Sequence, residues 1–241
     1  MTEISQRGDM ASNHRHRHKL VQTLGLFRFS SYQLLAVLIL LLVSSPLVQT
    51  LSYGRLVEAV LLTVVLLSAV LAVGGRRKML GLAILMVTPA LLVIWLEHNT
   101  QLLPAGSGMV AAMLPFGFTI VALLRFVLKS KRVTGEVLCA AVSNYLMLGL
   151  LWSLAYRLVE ILTPCAFRSG ATGGEACMIG LTPVYFSFVT LCTVGYGDIY
   201  PASDTARMLA LMEAMTGTFY IAVLIARLVT LYSAERADRR D

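Results

Sequence analysis

Charged side chains are scarce in this sequence, and their scarcity excludes an ordinary soluble globular domain. Only 14% of the 241 residues are Asp, Glu, Lys or Arg, whereas an average soluble domain has about 25%. Apolar residues make up 57% of the chain, and the mean hydropathy is +0.76. We therefore predict a membrane protein.

Side chains for a catalytic centre are equally few. Three of the four histidines lie in the polar amino-terminal segment, and the fourth, His98, falls in a predicted loop. Asp198 and Asp204 are predicted at the outer membrane surface, so neither a pair of acids nor a serine with a histidine can meet within the membrane. We predict no catalytic residues and no enzymatic activity.

Basic residues give the chain a formal net charge of +7, but they lie between apolar runs and lack the interleaved aromatic residues of a nucleic-acid surface. We expect no nucleic-acid partner. The tail segment His14–Lys19 alternates His with Arg or Lys. It is either a metal site or a contact for anionic membrane lipids, and its like charges favour lipids.

Six apolar runs are long enough to cross a bilayer as helices, which takes about 20 residues each. The predicted fold is an all-α membrane protein with six transmembrane helices. These are Tyr32–Val48, Leu56–Val73, Met79–Leu96, Met109–Leu128, Val137–Leu162 and Thr205–Tyr232.

Most basic residues lie on one side of this six-helix arrangement. They occur in the tail, in Arg76–Lys78, in Lys129–Arg132 and beyond Tyr232, whereas the connection Glu97–Gly108 has none. By the positive-inside rule both termini are cytoplasmic, and the segment between the fifth and sixth helices is outside. We predict a multi-pass protein of the cell membrane.

The run Thr193-Val194-Gly195-Tyr196-Gly197, here called the filter run, is the most informative part of the chain. A dehydrated cation in a narrow pore needs rings of backbone carbonyls in place of water. Successive carbonyls face one axis only if alternate residues take unusual dihedral angles, which glycine adopts at little steric cost. A lone Gly-Tyr-Gly would indicate a turn, but its place between two predicted spans favours an ion pathway.

A short helix is predicted before the filter run. Thr182 is placed to cap it and Pro183 to occupy its first position, so that Pro183–Cys192 returns to mid-membrane as a re-entrant pore helix. Irregular backbone at that depth is tolerated only where it is buried in protein or lines water. The filter run is expected in such a place.

Residues from about Val137 to Tyr232 resemble the pore module of the tetrameric potassium channel superfamily, and the whole layout resembles a bacterial-type six-helix channel. Thr190–Asp198 is the most specific part of the match. The resemblance implies a potassium-selective channel with passive conduction through a homotetrameric pore. A non-conducting or weakly selective membrane sensor or cation channel on the same module is the alternative.

The resemblance also implies the division of the chain and its ion ligands. Residues 1–31 are a basic cytoplasmic tail, 32–132 a four-helix peripheral region, 133–233 the pore domain and 234–241 a short cytoplasmic tail. No cofactor is implied beyond K⁺ ions in the filter. Their ligands are the carbonyls of Thr193, Val194, Gly195 and Tyr196, with Gly197 completing the filter.

Residues flanking the filter run are predicted to support it: Thr190, Cys192, Tyr185, Phe186 and Asp198. Cys192 stands where the family often has a second threonine, and Tyr185 and Phe186 stand where it often has two tryptophans. Tyr185 can still donate to Asp198, but the Phe186 ring has no hydrogen-bond donor. We expect a filter that is braced less firmly than in strongly selective relatives.

The last helix is predicted to hold the gate. Gly217 follows Gly197 at about the family's distance for a gating hinge, and close helix packing at a small residue is the other interpretation. A stripe at helical spacing either lines the pore or faces lipid: Thr218, Ile221, Ile225 and Val229. The fourth helix has only Arg125 near its cytoplasmic end, so we expect weak voltage dependence.

Two further features carry predictions. Glu213 is an acid inside a membrane helix, which either hydrogen-bonds a neighbouring helix, for instance through Asn144 or Ser143, or tunes the filter from behind. Cys165 and Cys177 lie in the outer loop and are expected to form a disulfide.

Overall fold

Helices make up almost all of the fold in the computed structural model, which describes residues 31–46, 60, 63–68, 77–99, 104, 106–130, 132–170, 174, 176 and 178–238. The helices are α1 (Ser31–Pro46), α2 (residues 63–68), α3 (Arg77–Asn99), α4 (Ser107–Lys129), α5 (Gly135–Leu162), α6 (Thr182–Leu191) and α7 (Asp204–Asp238). Two strands of three residues each, β1 (Phe167–Ser169) and β2 (Ile199–Pro201), form an antiparallel pair.

Three of the described helices, α4, α5 and α7, are long and apolar enough to cross a membrane. The helix α1, the apolar part of α3 and the helix α6 are shorter. Helices thus stand at the first, third, fourth, fifth and sixth predicted spans, with three candidate spans where the sequence predicts six. Most of the second predicted span and the tail before Ser31 lie outside the described residues.

The strand pair is absent from the all-α prediction. It joins the chain after α5 to the chain after the filter run, with Phe167 opposite Pro201 and Ser169 opposite Ile199. Ala202 N extends the pairing by donating to Ala166 O at 2.8 Å. Strands of three residues are too short to show the period-two pattern by which a strand is predicted.

The connection between α4 and α5 is set by local capping. Ser130 ends α4 by turning to an extended conformation, and Thr134 begins α5 by accepting a hydrogen bond from Val137 N at 3.4 Å. Arg227 of α7 donates to Ser130 O at 2.9 Å. A cation at the carboxyl end of a helix is favourable, because the last carbonyls carry partial negative charge. This contact places the carboxy-terminal half of α7 beside the end of α4.

The helix α5 lies at the centre of the fold and packs against α4, α6 and α7. Its buried face contributes to the main apolar cluster, which also contains Phe116 of α4, Leu191 of α6 and Tyr220 of α7. A second cluster lies where β1 meets α5, α6 and α7, and it includes Phe167, Phe186 and Ala206. Both clusters therefore anchor α6, the first through Leu191 and the second through Phe186.

Candidate ion pathway

The filter run has an alternating backbone. The φ angle is +57° at Thr193, +57° at Gly195 and +77° at Gly197, whereas Val194 and Tyr196 do not take positive values. The prediction of unusual dihedral angles is confirmed for the two glycines. Thr193 joins them, although a positive φ is rare for a β-branched residue. Such alternation is what successive carbonyls need in order to face one axis.

The helix α6 begins one residue earlier than predicted. Leu181 is its N-cap and makes no side-chain capping bond, so the proposed capping role of Thr182 is wrong, and Pro183 is the second helical residue. Leu181 already has helical dihedral angles, φ −76° and ψ −23°. Thr182 is therefore already the first residue of the helix and does not stand at the capping position. Pro183 still fits, because the first turn needs no backbone N–H there.

The last four carbonyls of α6 all have hydrogen-bond partners. Three accept backbone N–H groups from the residues that follow the helix, and Leu191 O accepts from Tyr145 Oη at 3.2 Å. The helix end, which normally leaves carbonyls without partners, is thus joined to the filter run and to α5. The backbone bonds are Cys192 N to Phe188 O at 3.0 Å, Thr193 N to Thr190 O at 2.9 Å and Val194 N to Val189 O at 2.9 Å.

The carboxyl end of the filter run is held by Asp198. Tyr185 Oη donates to Asp198 Oδ2 at 2.8 Å, which confirms the predicted bond. The same hydrogen bond raises the pKa of Tyr185 above its ordinary value. Gly170 N donates to Asp198 O at 2.7 Å, and a Cβ on Gly170 would collide with Gly197 O. The chain after β1 therefore touches the filter run directly, and only glycine fits at this contact.

Phe186 lies in a buried group of three aromatic rings. Its ring centroid is 4.9 Å from that of Tyr156 and 5.4 Å from that of Phe167, and all three pairs meet edge to face. Such pairs contribute about 0.5–1.5 kcal/mol each beyond their buried area. Although Phe186 lacks a hydrogen-bond donor, it therefore anchors α6 against α5 and β1.

Gly217 lies against the carboxyl end of α6. A Cβ at this position would collide with Leu191 O and approach Leu191 Cδ1 to 3.0 Å. The helix α7 continues through Gly217 without a break. The contact supports close packing, the second interpretation from the sequence, and the hinge stays a prediction.

Glu213 is buried between α5, α6 and α7. Tyr156 Oη donates to its Oε2, and Ser187 Oγ contacts its Oε1. The predicted hydrogen-bonding role is confirmed, but the named partners, Asn144 and Ser143, are wrong. Both lie more than three turns nearer the amino-terminal end of α5 than Tyr156 does.

The remaining predicted residues are a stripe on α7 and three cysteines. The stripe Thr218, Ile221, Ile225 and Val229 is exposed along α7 in the single chain. Cys192 lies just after α6 as its C-cap and is exposed, not inside a helix. Cys177 lies outside the described residues, so its pairing with Cys165 stays a prediction.

Three residues that contact the site were not predicted from the sequence: Tyr145, Tyr156 and Ser187. Tyr145 and Tyr156 are eleven residues apart on α5, which is about three helical turns and places them on one face. Ser187 is a polar residue in the middle of an apolar helix. Both features are visible in the sequence and indicate hydrogen bonds to a neighbouring helix.

The filter run is largely uncovered in one chain. Val194 is 52% exposed and Tyr196 is 71% exposed, and a Cβ on Gly195 or Gly197 would meet no atom within 4 Å. Among the described residues there is also no group of three or more His, Cys, Asp or Glu side chains that can hold a metal ion.

Comparison with known proteins supports this location. Residues 147–234 match a family model described as an ion channel, which covers the second half of α5, α6, the filter run and most of α7. No solved structure gives a significant match. The ion channel match thus coincides with the residues that surround the filter run.

Curated relatives are similar to parts of this chain. Two-pore potassium channel 4 of Arabidopsis thaliana is 34% identical over 85 residues, 35% of this chain and 30% of that protein. Two pore potassium channel a of Oryza sativa subsp. japonica is 32% identical over 95 residues, 39% of this chain and 26% of that protein. Protein LctB of Bacillus caldotenax is 29% identical over 124 residues, 51% of this chain and 91% of that protein. The chain spans less than a third of the length of these two plant relatives. The family match thus lies in the carboxy-terminal part of this chain, and the two plant relatives are named as potassium channels.

Proposed function

We propose that this chain is a subunit of a potassium-selective channel, with its ion pathway at the filter run. Thr193, Val194, Gly195 and Tyr196 offer carbonyls to K⁺, and Gly197 completes the filter. The observation that carries the proposal is the alternation of positive φ through Thr193, Gly195 and Gly197. The relatives named as potassium channels support the choice of ion.

The functional unit is a homotetramer. One chain supplies one filter run, whereas the known filter of this sequence is built from four such loops. Irregular backbone inside a membrane must be covered by protein or line water, and the exposed filter run meets this need only when further copies surround it. The apolar window of α7 is 17% buried against 56% for α5, so α7 has surface available for neighbouring copies.

The proposed orientation places the filter run towards the outside and both termini in the cytoplasm. It follows from the basic clusters, with Lys129 at the end of α4 and Glu97–Gly108 free of Lys and Arg. Residues 133–233 then form the pore domain, and 32–132 form a peripheral region in the cell membrane. K⁺ and membrane lipids are the partners, and no cofactor is needed.

Gating is assigned to the inner half of α7. A ring of Ile221, Ile225 and Val229 from four chains closes a pore by excluding water, and all three side chains are exposed in the single chain. Arg125 lies in the last two turns of α4. One peripheral charge cannot give steep voltage dependence, so conduction changes little with membrane potential.

The proposal is tested by ion flux from vesicles reconstituted with the full chain. We expect K⁺ efflux that is much faster than Na⁺ efflux and is blocked by Ba²⁺. Equal K⁺ and Na⁺ flux would indicate the weakly selective alternative, and no flux from correctly assembled protein would indicate a non-conducting sensor.

A further inference from the structure

Glu213 joins the three helices that surround the filter run. Its side chain is 0% exposed, as are those of its two partners, Tyr156 and Ser187. Tyr156 belongs to α5, Ser187 to α6 and Glu213 to α7. A single buried carboxyl group therefore connects α6 to α5 and to α7.

The hydrogens in this cluster can be counted. Ser187 Oγ lies 2.7 Å from Gly149 O on α5 and also contacts Glu213 Oε1. A hydroxyl has one hydrogen and two lone pairs, so Ser187 cannot donate to both oxygens at once. If Glu213 is protonated, it donates to Ser187, Ser187 donates to Gly149 O, and Tyr156 donates to the other carboxyl oxygen. Each contact then contains one hydrogen.

An ionised Glu213 leaves the cluster one hydrogen short. It would also place a negative charge in a buried site, which is costly without a paired cation. The titratable side chains that face Glu213 within the described residues are Tyr156 and Tyr145, both on α5. The helix α6 faces it with Ser187, which does not titrate, and no described basic side chain pairs with Glu213. The surroundings therefore favour the neutral acid.

The cluster acts directly on the part of α6 that holds the filter run. Ser187 is followed by Phe188, Val189 and Thr190, whose carbonyls accept the backbone N–H groups of the filter run and Cys192. A displacement of Ser187 moves these three acceptors with it. The position of the filter run is thus linked to the contact between Ser187 and Glu213.

We propose that protonated Glu213 is a positioning residue which fixes α6 between α5 and α7 and thereby sets the geometry of the filter run. The inference rests on the proposed function, because its effect is measured as ion selectivity. Glu213 does not touch the ion. It acts through Ser187 and the carbonyls at the end of α6.

The test compares K⁺ over Na⁺ permeability ratios, from reversal potentials of the reconstituted full chain, for Glu213→Leu, Glu213→Gln and Ser187→Ala. Glu213→Leu removes both hydrogen bonds of Glu213, and Ser187→Ala removes the contacts of Ser187 with Glu213 and with Gly149 O at little change in volume. Each is expected to lower the ratio about tenfold, because α6 loses the buried hydrogen bond that fixes its position. Glu213→Gln keeps a donor towards Ser187 and an acceptor towards Tyr156, so its ratio stays near that of the wild type.

Ser143→Ala is the matched control. Ser143 is a fully buried serine of α5 whose hydroxyl has no hydrogen-bond partner among the described residues, so its removal should leave the ratio unchanged. The double variant Glu213→Leu with Ser187→Ala should lose less than the sum of the two single losses, because both changes remove the shared contact between Ser187 and Glu213.

The outcomes separate the inference from the proposed function. A wild type without K⁺ selectivity would remove the proposed function and the inference with it. If the wild type is selective and the Ser187→Ala variant is equally selective, the positioning role alone would be overturned. Ser187→Ala changes the side-chain volume little, so this comparison remains possible if Glu213→Leu does not assemble. A Glu213→Gln variant as unselective as Glu213→Leu would overturn the protonated arrangement.

Discussion

A left-handed backbone is shared by Thr193, Gly195 and Gly197, but its steric cost differs between threonine and glycine. Glycine takes a positive φ at no steric cost, whereas an L residue with a side chain loses about 1–2 kcal/mol in this region. At Thr193 the conformation is held by the bond from its N–H to Thr190 O at 2.9 Å. The filter run therefore depends on the end of α6 as well as on its own glycines.

Replacement of Gly195 by alanine tests the backbone requirement. A Cβ at Gly195 meets no atom within 4 Å in the single chain, so the expected damage comes from the positive φ of +57°. We expect Gly195→Ala to abolish selective K⁺ flux while the protein still folds. Gly117→Ala is the control, because Gly117 lies in the helix α4 and also has nothing within 4 Å. Wild-type flux from Gly195→Ala would contradict the assignment.

The bond between Tyr185 and Asp198 gives a second prediction at this scale. Tyr185→Phe removes the donor, so we expect faster current decay. The bond raises the pKa of Tyr185 above its ordinary 10.0. Its contribution is thus complete below pH 10.0 and is lost only as the pH rises through the raised pKa.

The difference in decay rate between wild type and Tyr185→Phe should therefore be constant between about pH 6 and pH 9, where a tyrosine does not titrate. Current recordings at several external pH values measure it. A difference that disappears within this range would show that another group controls the decay.

Among the elements, α6 depends most on its neighbours. It has ten residues, and isolated helices shorter than about 12–15 residues are marginal in water. Its start is fixed by the aromatic rings around Phe186, its middle by Ser187 and its end by Tyr145 and Gly217. Tertiary contacts, not local sequence, therefore determine where it lies.

This dependence explains which parts were predictable from the sequence. The glycine dihedral angles and the bond from Tyr185 to Asp198 follow from residue chemistry and short spacing, and both were predicted. The partners of Glu213 were not, because the relative depth of α5 and α7 decides them. Glu213 is the tenth residue of α7, and Tyr156 is the seventh residue from the end of α5. Comparing the distance of each residue from these two helix ends would have brought them to a similar depth.

Gly217→Ala tests the contact between α7 and α6. The added Cβ would collide with Leu191 O, and a backbone carbonyl cannot move aside as a side chain can. We expect a lower thermal unfolding temperature and weaker K⁺ selectivity, since overpacking costs about 1–3 kcal/mol. Thermal unfolding in detergent and bilayer recordings measure the two effects. If Gly217 is only a hinge, the variant will change opening probability and leave the unfolding temperature unchanged.

At the scale of the whole molecule, one chain leaves its most important surface uncovered. Tyr196 is 71% exposed and Phe219 is 61% exposed. Lipid can cover the apolar side chains of α7, but it cannot cover the filter backbone. The proposed assembly would cover this backbone, because the filter run then faces its own copies.

The particle mass tests this assembly. Light scattering of the detergent-solubilised chain, corrected for detergent, should give four times the chain mass of 26.3 kDa. A monomer that still conducts would contradict the four-fold arrangement.

The central claim is that the filter run selects K⁺ through its backbone. Its most direct measurement is the reversal potential of the full chain in a planar bilayer with K⁺ on one side and Na⁺ on the other. We expect a potential close to that of a membrane permeable to K⁺ alone, and its loss in Gly195→Ala. A reversal potential near zero for the wild type, with clear current in both directions, would contradict it.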